Sequence, residues 1–386
     1  MKFNEDSRVK IPSILHLIQL GYKYLSLKEN NWDVSTNIFT DIFYEKVKQI
    51  NPDLTHKEAE RFYNEISLTL ENEDLGRAFY NKLIDQSGTK LIDFENFENN
   101  SFHVVTELPY EKDDDNFRPD IILLINGMPL VFIEVKKPNN RDGILAEHKR
   151  MQTRFQNKKF RKFINLTQLM VFSNNMPYSD SDTQMVEGAF YSTTNYRKPI
   201  FNYFREEEQF DLEKLLKPVS DEVENFVLKD TNLISIKNAK EFATNKNPNT
   251  PTNSIATSLF QKDRLKFILQ YAFVYVEEEK GLEKHVMRYP QIFATKAIEN
   301  KLENGLKKGI IWHTQGSGKT ALTYFNVKHL TDYYQHKNSI PKFYFIVDRI
   351  DLLNQAAREF SSRGLVVHKI NSREAFSRDI KSTNVI

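Results

Sequence analysis

The segment from Arg118 to Pro138 constrains this chain more than any other. It reads RPDIILLINGMPLVFIEVKKP, in which two runs dense in β-branched residues, DIILLI and LVFIEV, flank a Gly/Pro turn. That is the pattern of a strand–turn–strand unit. Asp120 lies seven residues before Gly127, and Glu134 seven after it. Antiparallel pairing around a short loop at Asn126–Met128 sets the two carboxylates opposite each other, with Cβ atoms about 4.5–5.5 Å apart. Side chains alternate along a strand, so Glu134 and Lys136 share one face while Val131, Ile133 and Val135 take the other.

Two hard oxygen ligands, Asp120 and Glu134, suit Mg²⁺, which keeps several of its waters. A lysine beside a metal-bound water orients it, or stabilises charge building on a phosphate. Asp120, Glu134 and Lys136 are thus the minimum set for hydrolysing a phosphodiester. The same letters also fit a solvated hairpin edge with ordinary charges. Carboxylates on strands that are otherwise nearly uniformly apolar need a reason, however.

The flanking sequence gives the hairpin a setting. Residues 12–85 place apolar residues three and four apart and read mostly helical. SFHVVTEL and LMVFSN read as two further strands. Between LVFIEV and LMVFSN lies a basic helical stretch, roughly Ile144 to Phe163. Residues 136–162 hold ten Lys or Arg, opposed only by Asp142 and Glu147, with Phe155, Phe160 and Phe163 interleaved. Such a helix offers phosphate-backbone contacts, and Lys149, Arg150, Gln152, Arg154, Lys158 and Lys159 are the DNA-binding candidates. An ordinary solvated helix face is the plainer alternative. Residues 205–235 are acidic and amphipathic.

NKNPNTPTNS, Asn245 to Ser254, reads as a linker. The expected organisation is an α/β nuclease-like domain over 1–244, a linker at 245–256, and the start of a second α/β unit over 257–386. That unit opens with SLFQKDRLKFILQYAFVYVEEE, read as a helix. It continues through an expected strand GIIWH, a Gly-rich loop, helix TALTYFNVKHLTDYY and an expected strand KFYFIVD. The loop HTQGSGKT, His313 to Thr320, follows a strand and opens a helix, as a phosphate-binding loop does. Gly316, Ser317 and Gly318 wrap phosphate oxygens, Lys319 reaches the β- and γ-phosphates of ATP, and the Thr320 hydroxyl ligates Mg²⁺. The usual pattern begins with Gly where this chain has His313. Upstream, in RYPQIFATKA, Tyr289 is placed to stack on adenine and Gln291 to bond its edge, though an aromatic before a helix is usually core. FYFIVDR ends in Asp348 and Arg349. Asp348 is either a second Mg²⁺ contact or, as the better fit directly after the first loop helix, part of a DNA-contacting loop with Arg349.

Composition narrows the classes. The 386 residues carry 54 basic and 52 acidic side chains, for a net charge of +2, so any nucleic-acid surface comes from local clustering. With 29 Phe and 17 Tyr there is ample core material. Cysteine is absent, which excludes disulfide scaffolds, thiolate zinc sites and cysteine nucleophiles, and suits a cytoplasmic protein. The most apolar stretch, Ile121 to Val135, is interrupted by Asn126, Gly127 and Pro129 and is too short to span a bilayer. No membrane partner is expected.

The ordered set RPDIILLINGMPLVFIEVKKP, RYPQIFATKA, IIWHTQGSGKT and FIVDRIDLLNQ resembles the restriction (R) subunit of type I restriction–modification enzymes. The resemblance implies a PD-(D/E)xK nuclease domain followed by the first RecA-like lobe of a superfamily 2 translocase. It maps Asp120, Glu134 and Lys136 to the nuclease motif, Gly318, Lys319 and Thr320 to the phosphate-loop motif, Tyr289 and Gln291 to the adenine motif, and Asp348 and Arg349 to the DNA-side motif. It implies Mg²⁺ and ATP as cofactors. The implied partners are double-stranded DNA and the modification and specificity subunits. Many members carry Gln-x-x-x-Tyr on the helix after the Glu-x-Lys strand. Here the nearest residues are Gln152 or Gln156 near Phe155, without a clean match. The Asp-Glu box and second lobe expected of such a motor do not occur before Ile386. The expectation is therefore a fragment or truncated product of a longer subunit. The alternative is a non-catalytic module that binds DNA or nucleotide, or docks on the methyltransferase.

Overall fold

The computed structural model describes residues 4–138, 141–178, 187–314, 316–370 and 372–379. The side chains of Arg141 and Asp142 in the basic run, and Gln315 in the glycine-rich loop, lie outside the described residues. The chain is mixed α/β. It divides into two compact units, residues 1–270 and 271–386.

The first unit is built on a seven-stranded mixed sheet. In chain order the strands are β1 (Lys23–Tyr24), β2 (Phe102–Thr106), a small separate hairpin of β3 (Tyr110–Lys112) and β4 (Asp115–Phe117), then β5 (Ile121–Ile125), β6 (Met128–Val135), β7 (Leu169–Ser173), β8 (Ala189–Ser192) and β9 (Asn202–Tyr203). The sheet order is β1-β2-β5-β6-β7-β8-β9. β5, β6 and β7 are buried along their whole length. Uniformly apolar strands end in the middle of a sheet because helices must cover both faces. Each fully buried Leu, Ile or Phe there contributes about 1.5–3 kcal/mol.

β6 runs parallel to β7, Val131 opposite Leu169 through Val135 opposite Ser173. Parallel neighbours need a crossover, and the helices Arg141–Gln156 and Arg161–Leu166 supply it. Phe155, Phe160 and Phe163 are 2%, 7% and 3% exposed. Phe160 and Phe163 pack edge-on to Phe117 at 4.9 and 5.0 Å. These rings are part of the core.

The hairpin register decides where the charged residues fall. The turn is two residues, Asn126 and Gly127, both at positive φ (50° and 79°), so Ile125 pairs with Met128. A β-bulge follows, because Leu124 pairs with Pro129 but Leu123 with Val131. The extra residue shifts the pairing by one. Ile121 therefore faces Ile133, and Asp120 comes level with Glu134. The expected three-residue loop at Asn126–Met128 is replaced by a tighter turn plus a bulge that restores the same register.

The turn is buried. Asn126 is 0% exposed. It donates to Leu91 O at 2.9 Å and Asn100 Oδ1 at 2.7 Å, and accepts from Ser101 N at 2.8 Å. A Cβ on Gly127 would lie 2.5 Å from Phe39 O.

The asparagine- and threonine-rich segment expected as a linker is partly helical. Pro251 occupies the first turn of Pro251–Phe260, a favoured place because its missing N–H is unneeded there. This helix packs on Ile11–Gln19. Its small polar residues serve as buried hydrogen-bond partners: Thr257 with His16 Nε2 at 2.7 Å, and Thr252 with Ser173 at 2.8 Å. The boundary between units falls beyond it, after Gln270.

The second unit differs from expectation in its strands. FVYVEE, read as part of a helix, is β10 (Phe273–Glu278), paired antiparallel with β11 (Gly281–Val286). Its alternating aromatic and β-branched residues favour a strand. Helices Tyr289–Glu303, Lys319–Gln335, Ile350–Ser361 and Arg373–Asp379 follow. GIIWH and KFYFIVD are not strands among the described residues. Ile310, Trp312 and Ile346 are 90%, 91% and 85% exposed. A strand of this kind is held by neighbours on its edges, and the described residues supply none here. No described helix is long and apolar enough to cross a membrane.

Two stability predictions follow from this packing. Gly127→Ala should cost about 2–3 kcal/mol, because positive φ and a backbone clash act together. Chemical denaturation measures it, and a loss below about 0.5 kcal/mol would contradict the buried turn. The second concerns acid. Burial lowers His16 and His103 to about 4, so the folded state prefers both neutral. Their contribution is intact above the unfolded value near 6.5 and is lost as pH falls through about 4. His16→Gln should show a shallower loss of denaturation midpoint over that window than the wild type. Parallel curves would refute the assignment.

Candidate functional site

The charged groups meet at the C-terminal end of β6. Lys136 Nζ donates to Glu134 Oε1 at 2.8 Å and to Val135 O at 2.9 Å. It stands 3.7 Å from Asp120 Oδ2 and 3.7 Å from Glu147 Oε1. Asp120 Oδ2 also accepts the Val135 N–H at 2.9 Å, and Thr106 Oγ1 holds the Asp120 carbonyl at 2.7 Å. On the other edge Lys136 N bonds Ser173 O at 2.7 Å. The Asp120 carboxylate on one side and the Ser173 carbonyl on the other thus fix the strand end that carries Glu134 and Lys136.

All these groups are largely out of water. The side chains of Asp120, Glu134, Lys136 and Glu147 are 16%, 9%, 14% and 0% exposed. Burial, then Asp120, pushes the Glu134 carboxyl up to about 8 against the pull of Lys136. Burial also raises Asp120, with Lys136 and the Val135 N–H opposing. Burial alone would lower Lys136, but Glu134, Asp120 and Glu147 together hold it above its ordinary value. Acids crowded in a dry pocket favour a bound proton or a cation.

The site suits a divalent cation. Glu134 Oε2 is buried without a hydrogen-bond partner, and the available donors are hard oxygens. Among the described residues no three or more acidic or imidazole side chains form a ready metal cage. A hard ion that keeps several waters needs fewer protein ligands than that.

Sequence reasoning missed three nearby groups. Glu147 comes from the crossover helix Arg141–Gln156. Its only signal was being one of two acids in a basic run. Glu5 accepts the Lys137 N–H at 3.0 Å. Lys10, 6% exposed, pairs with Glu107 and lies 3.5 Å from Asp6. Glu5 and Lys137 are 132 residues apart in sequence, and Lys10 and Glu107 97.

The basic residues are less free than their count implied. Lys149 is exposed and Gln152 half-buried. Arg150 pairs with Glu147, and Arg154 sits over the Phe117 ring at 4.3 Å. Lys158 lies 3.7 Å from Glu73, and Lys159 3.1 Å from Asp115. Acids from distant segments therefore offset much of the local charge.

In the second unit, Gly316 and Gly318 take positive φ (76° and 83°), and Gly318 caps the helix Lys319–Gln335. Lys319 Nζ donates to His313 O at 3.1 Å and Thr314 O at 3.0 Å. Ser317 Oγ is buried without a hydrogen-bond partner, and Thr320 is half-buried. Gln291 reaches the loop, its Nε2 donating to Gly318 O at 3.1 Å. Arg288, which sequence reasoning left out, donates to Gly316 O at 3.1 Å. Tyr289 begins the same helix and is half-buried. Asp348 is exposed, and Arg349 pairs with Asp351 at 2.6 Å.

Comparison with known proteins finds relatives of both units. Residues 2–179 match the family described as type I restriction enzyme R protein N terminus. Residues 284–385 match the family described as type III restriction enzyme, res subunit, which marks a helicase-like region. A Methanocaldococcus jannaschii protein, provisionally named the endonuclease subunit of type I restriction enzyme MjaIXP, is 27% identical over 94% of this chain and 34% of its own length. The type I restriction enzyme SauMSSORF170P endonuclease subunit of Staphylococcus aureus is 24% identical over 97% of this chain and 35% of its own. The HindI endonuclease subunit of Haemophilus influenzae is 23% identical over 91% and 32%. The chain spans about a third of the length of these relatives. Over residues 2–179 the chain is a match to the type I restriction enzyme R protein N-terminal family, and these relatives are named as type I restriction endonuclease subunits.

Proposed function

We propose that the first unit is a PD-(D/E)xK nuclease and that the second begins a RecA-like motor lobe. On this reading the chain serves a type I restriction–modification system as a Mg²⁺-dependent DNA endonuclease coupled to ATP-driven translocation. The carrying observation is the convergence of Asp120, Glu134 and Lys136 at one buried strand end. Asp120 and Glu134 would hold Mg²⁺. The bound ion would make its water a better nucleophile and neutralise charge on the scissile phosphate. Lys136 supplies a fixed positive charge to the developing phosphorane. Arg154 and the exposed Lys149 and Arg150 offer contacts to the DNA backbone.

In the motor lobe, Lys319 and the backbone of Gly316, Ser317 and Gly318 take the ATP phosphates, with Thr320 toward the nucleotide's Mg²⁺. Lys319 must first release the His313 and Thr314 carbonyls. Tyr289 and Gln291 face the adenine, and Arg349 the DNA. The partners are unmethylated double-stranded DNA and the modification and specificity subunits, in the cytoplasm.

A second reading has one observation in its favour. The segments flanking the phosphate loop form no strands among the described residues. The chain would then bind nucleotide or DNA, or dock on the methyltransferase, without turnover.

The test is reconstitution of the full-length subunit with its methyltransferase on circular, unmethylated DNA, with and without ATP. Glu134→Ala should reduce cleavage at least about a hundredfold while ATP turnover survives. Lys319→Ala should abolish ATP turnover and cleavage together. A Glu134→Ala complex that still cuts would refute the nuclease assignment.

A further inference from the structure

Glu147 enters the nuclease centre from a separate element, and the chemistry above gives it no task. Its side chain is wholly buried on the Arg141–Gln156 helix. Oε1 accepts from Arg150 and lies 3.7 Å from Lys136 Nζ. Oε2 has no hydrogen-bond partner, and Arg154 Nη1 stands 4.0 Å away. A carboxylate so far from water is strongly unfavourable unless its charge is used.

Lys136 has three N–H donors. Two are spent, on Glu134 Oε1 and Val135 O. Asp120 and Glu147 both stand at ion-pair distance, 3.7 Å, beyond a hydrogen bond. The ammonium and a divalent cation therefore compete for the same two acids, Asp120 and Glu134.

Resting on the nuclease reading, we propose that Glu147 is a positioning residue that keeps the Lys136 ammonium in the centre once Asp120 and Glu134 are committed to a divalent cation. The reason is charge balance. Lys136 deprived of Glu134 would be a buried ammonium without a close counter-ion, and would leave the site or oppose cation binding. Glu147 offers a full negative charge at the same depth, within a small rotation of the lysine's end. Its anchorage by Arg150 leaves it a partner for Lys136, not a cation ligand. The lysine can then stay beside the reacting phosphate while the two strand carboxylates serve the ion.

The probe is Mn²⁺, titrated calorimetrically into this 386-residue chain without DNA or nucleotide. Glu134→Gln should weaken binding at least about tenfold. Glu147→Gln should weaken it about tenfold when Lys136 is present, because the ammonium then stays on Asp120 and Glu134. In a Lys136→Met background the same change should cost less than about twofold. Equal losses in both backgrounds would make Glu147 a ligand and overturn the positioning role, as would no loss in either. Lys136→Met alone should tighten Mn²⁺ at least about threefold by removing the competitor. That measurement decides the matter if melting curves show Glu147→Gln to be unfolded, and an unchanged affinity overturns the proposal. A wild-type chain that does not titrate, or Glu134→Gln titrating like wild type, overturns the nuclease reading and this inference together.

Discussion

Three carboxylates and one ammonium share a nearly dry space at the end of β6. Burial, and then repulsion from Asp120, pushes the Glu134 carboxyl up to about 8. Lys136 relieves part of that stress and cannot relieve all of it. The surrounding fold imposes this crowding. The bulge in the β5–β6 hairpin brings Asp120 level with Glu134, and the buried Asn126–Gly127 turn pins the bulge in place. The ladder to β7 fixes the other edge, and the crossover helix brings in Glu147. A cluster that is unfavourable alone is a good receptor for positive charge.

Much of this was legible in the letters, for a definable reason. Two apolar runs around Asn-Gly specify a hairpin, and the equal spacing of Asp120 and Glu134 about Gly127 specifies their pairing. The loop was misread, yet a two-residue turn plus one bulged residue gives the same register as a three-residue loop. Glu5 and Lys10 were not legible, because their contacts join remote segments, and Glu147 read only as one of two acids in a basic run. The basic run misled in the opposite sense. Its partners Glu73, Asp113 and Asp115 lie far upstream, and its phenylalanines belong to the core under Phe117. Likewise, Asn253 and Thr252 read as linker and are buried hydrogen-bonding groups.

The second unit shows the limit of strand patterns. GIIWH and KFYFIVD carry the composition of buried strands, yet neither is one among the described residues. A parallel sheet is a collective object, in which each strand is stable through its neighbours. The glycine-rich loop and the helix after it need no such company. Gly316, Gly318 and the helix beginning at Lys319 are in place, braced by Arg288 and Gln291 from Tyr289–Glu303 and the residue before it.

The exposure of Trp312 has a practical side. The chain has two tryptophans. Trp32 is half-buried near Phe39, in the first unit. Trp312 is 91% exposed one residue before His313, whose carbonyl Lys319 holds. An indole in water next to that lysine's anchor is a built-in fluorophore. With Trp32 replaced by phenylalanine, its emission colour would report whether the segment ahead of the loop stays in solvent or becomes shielded.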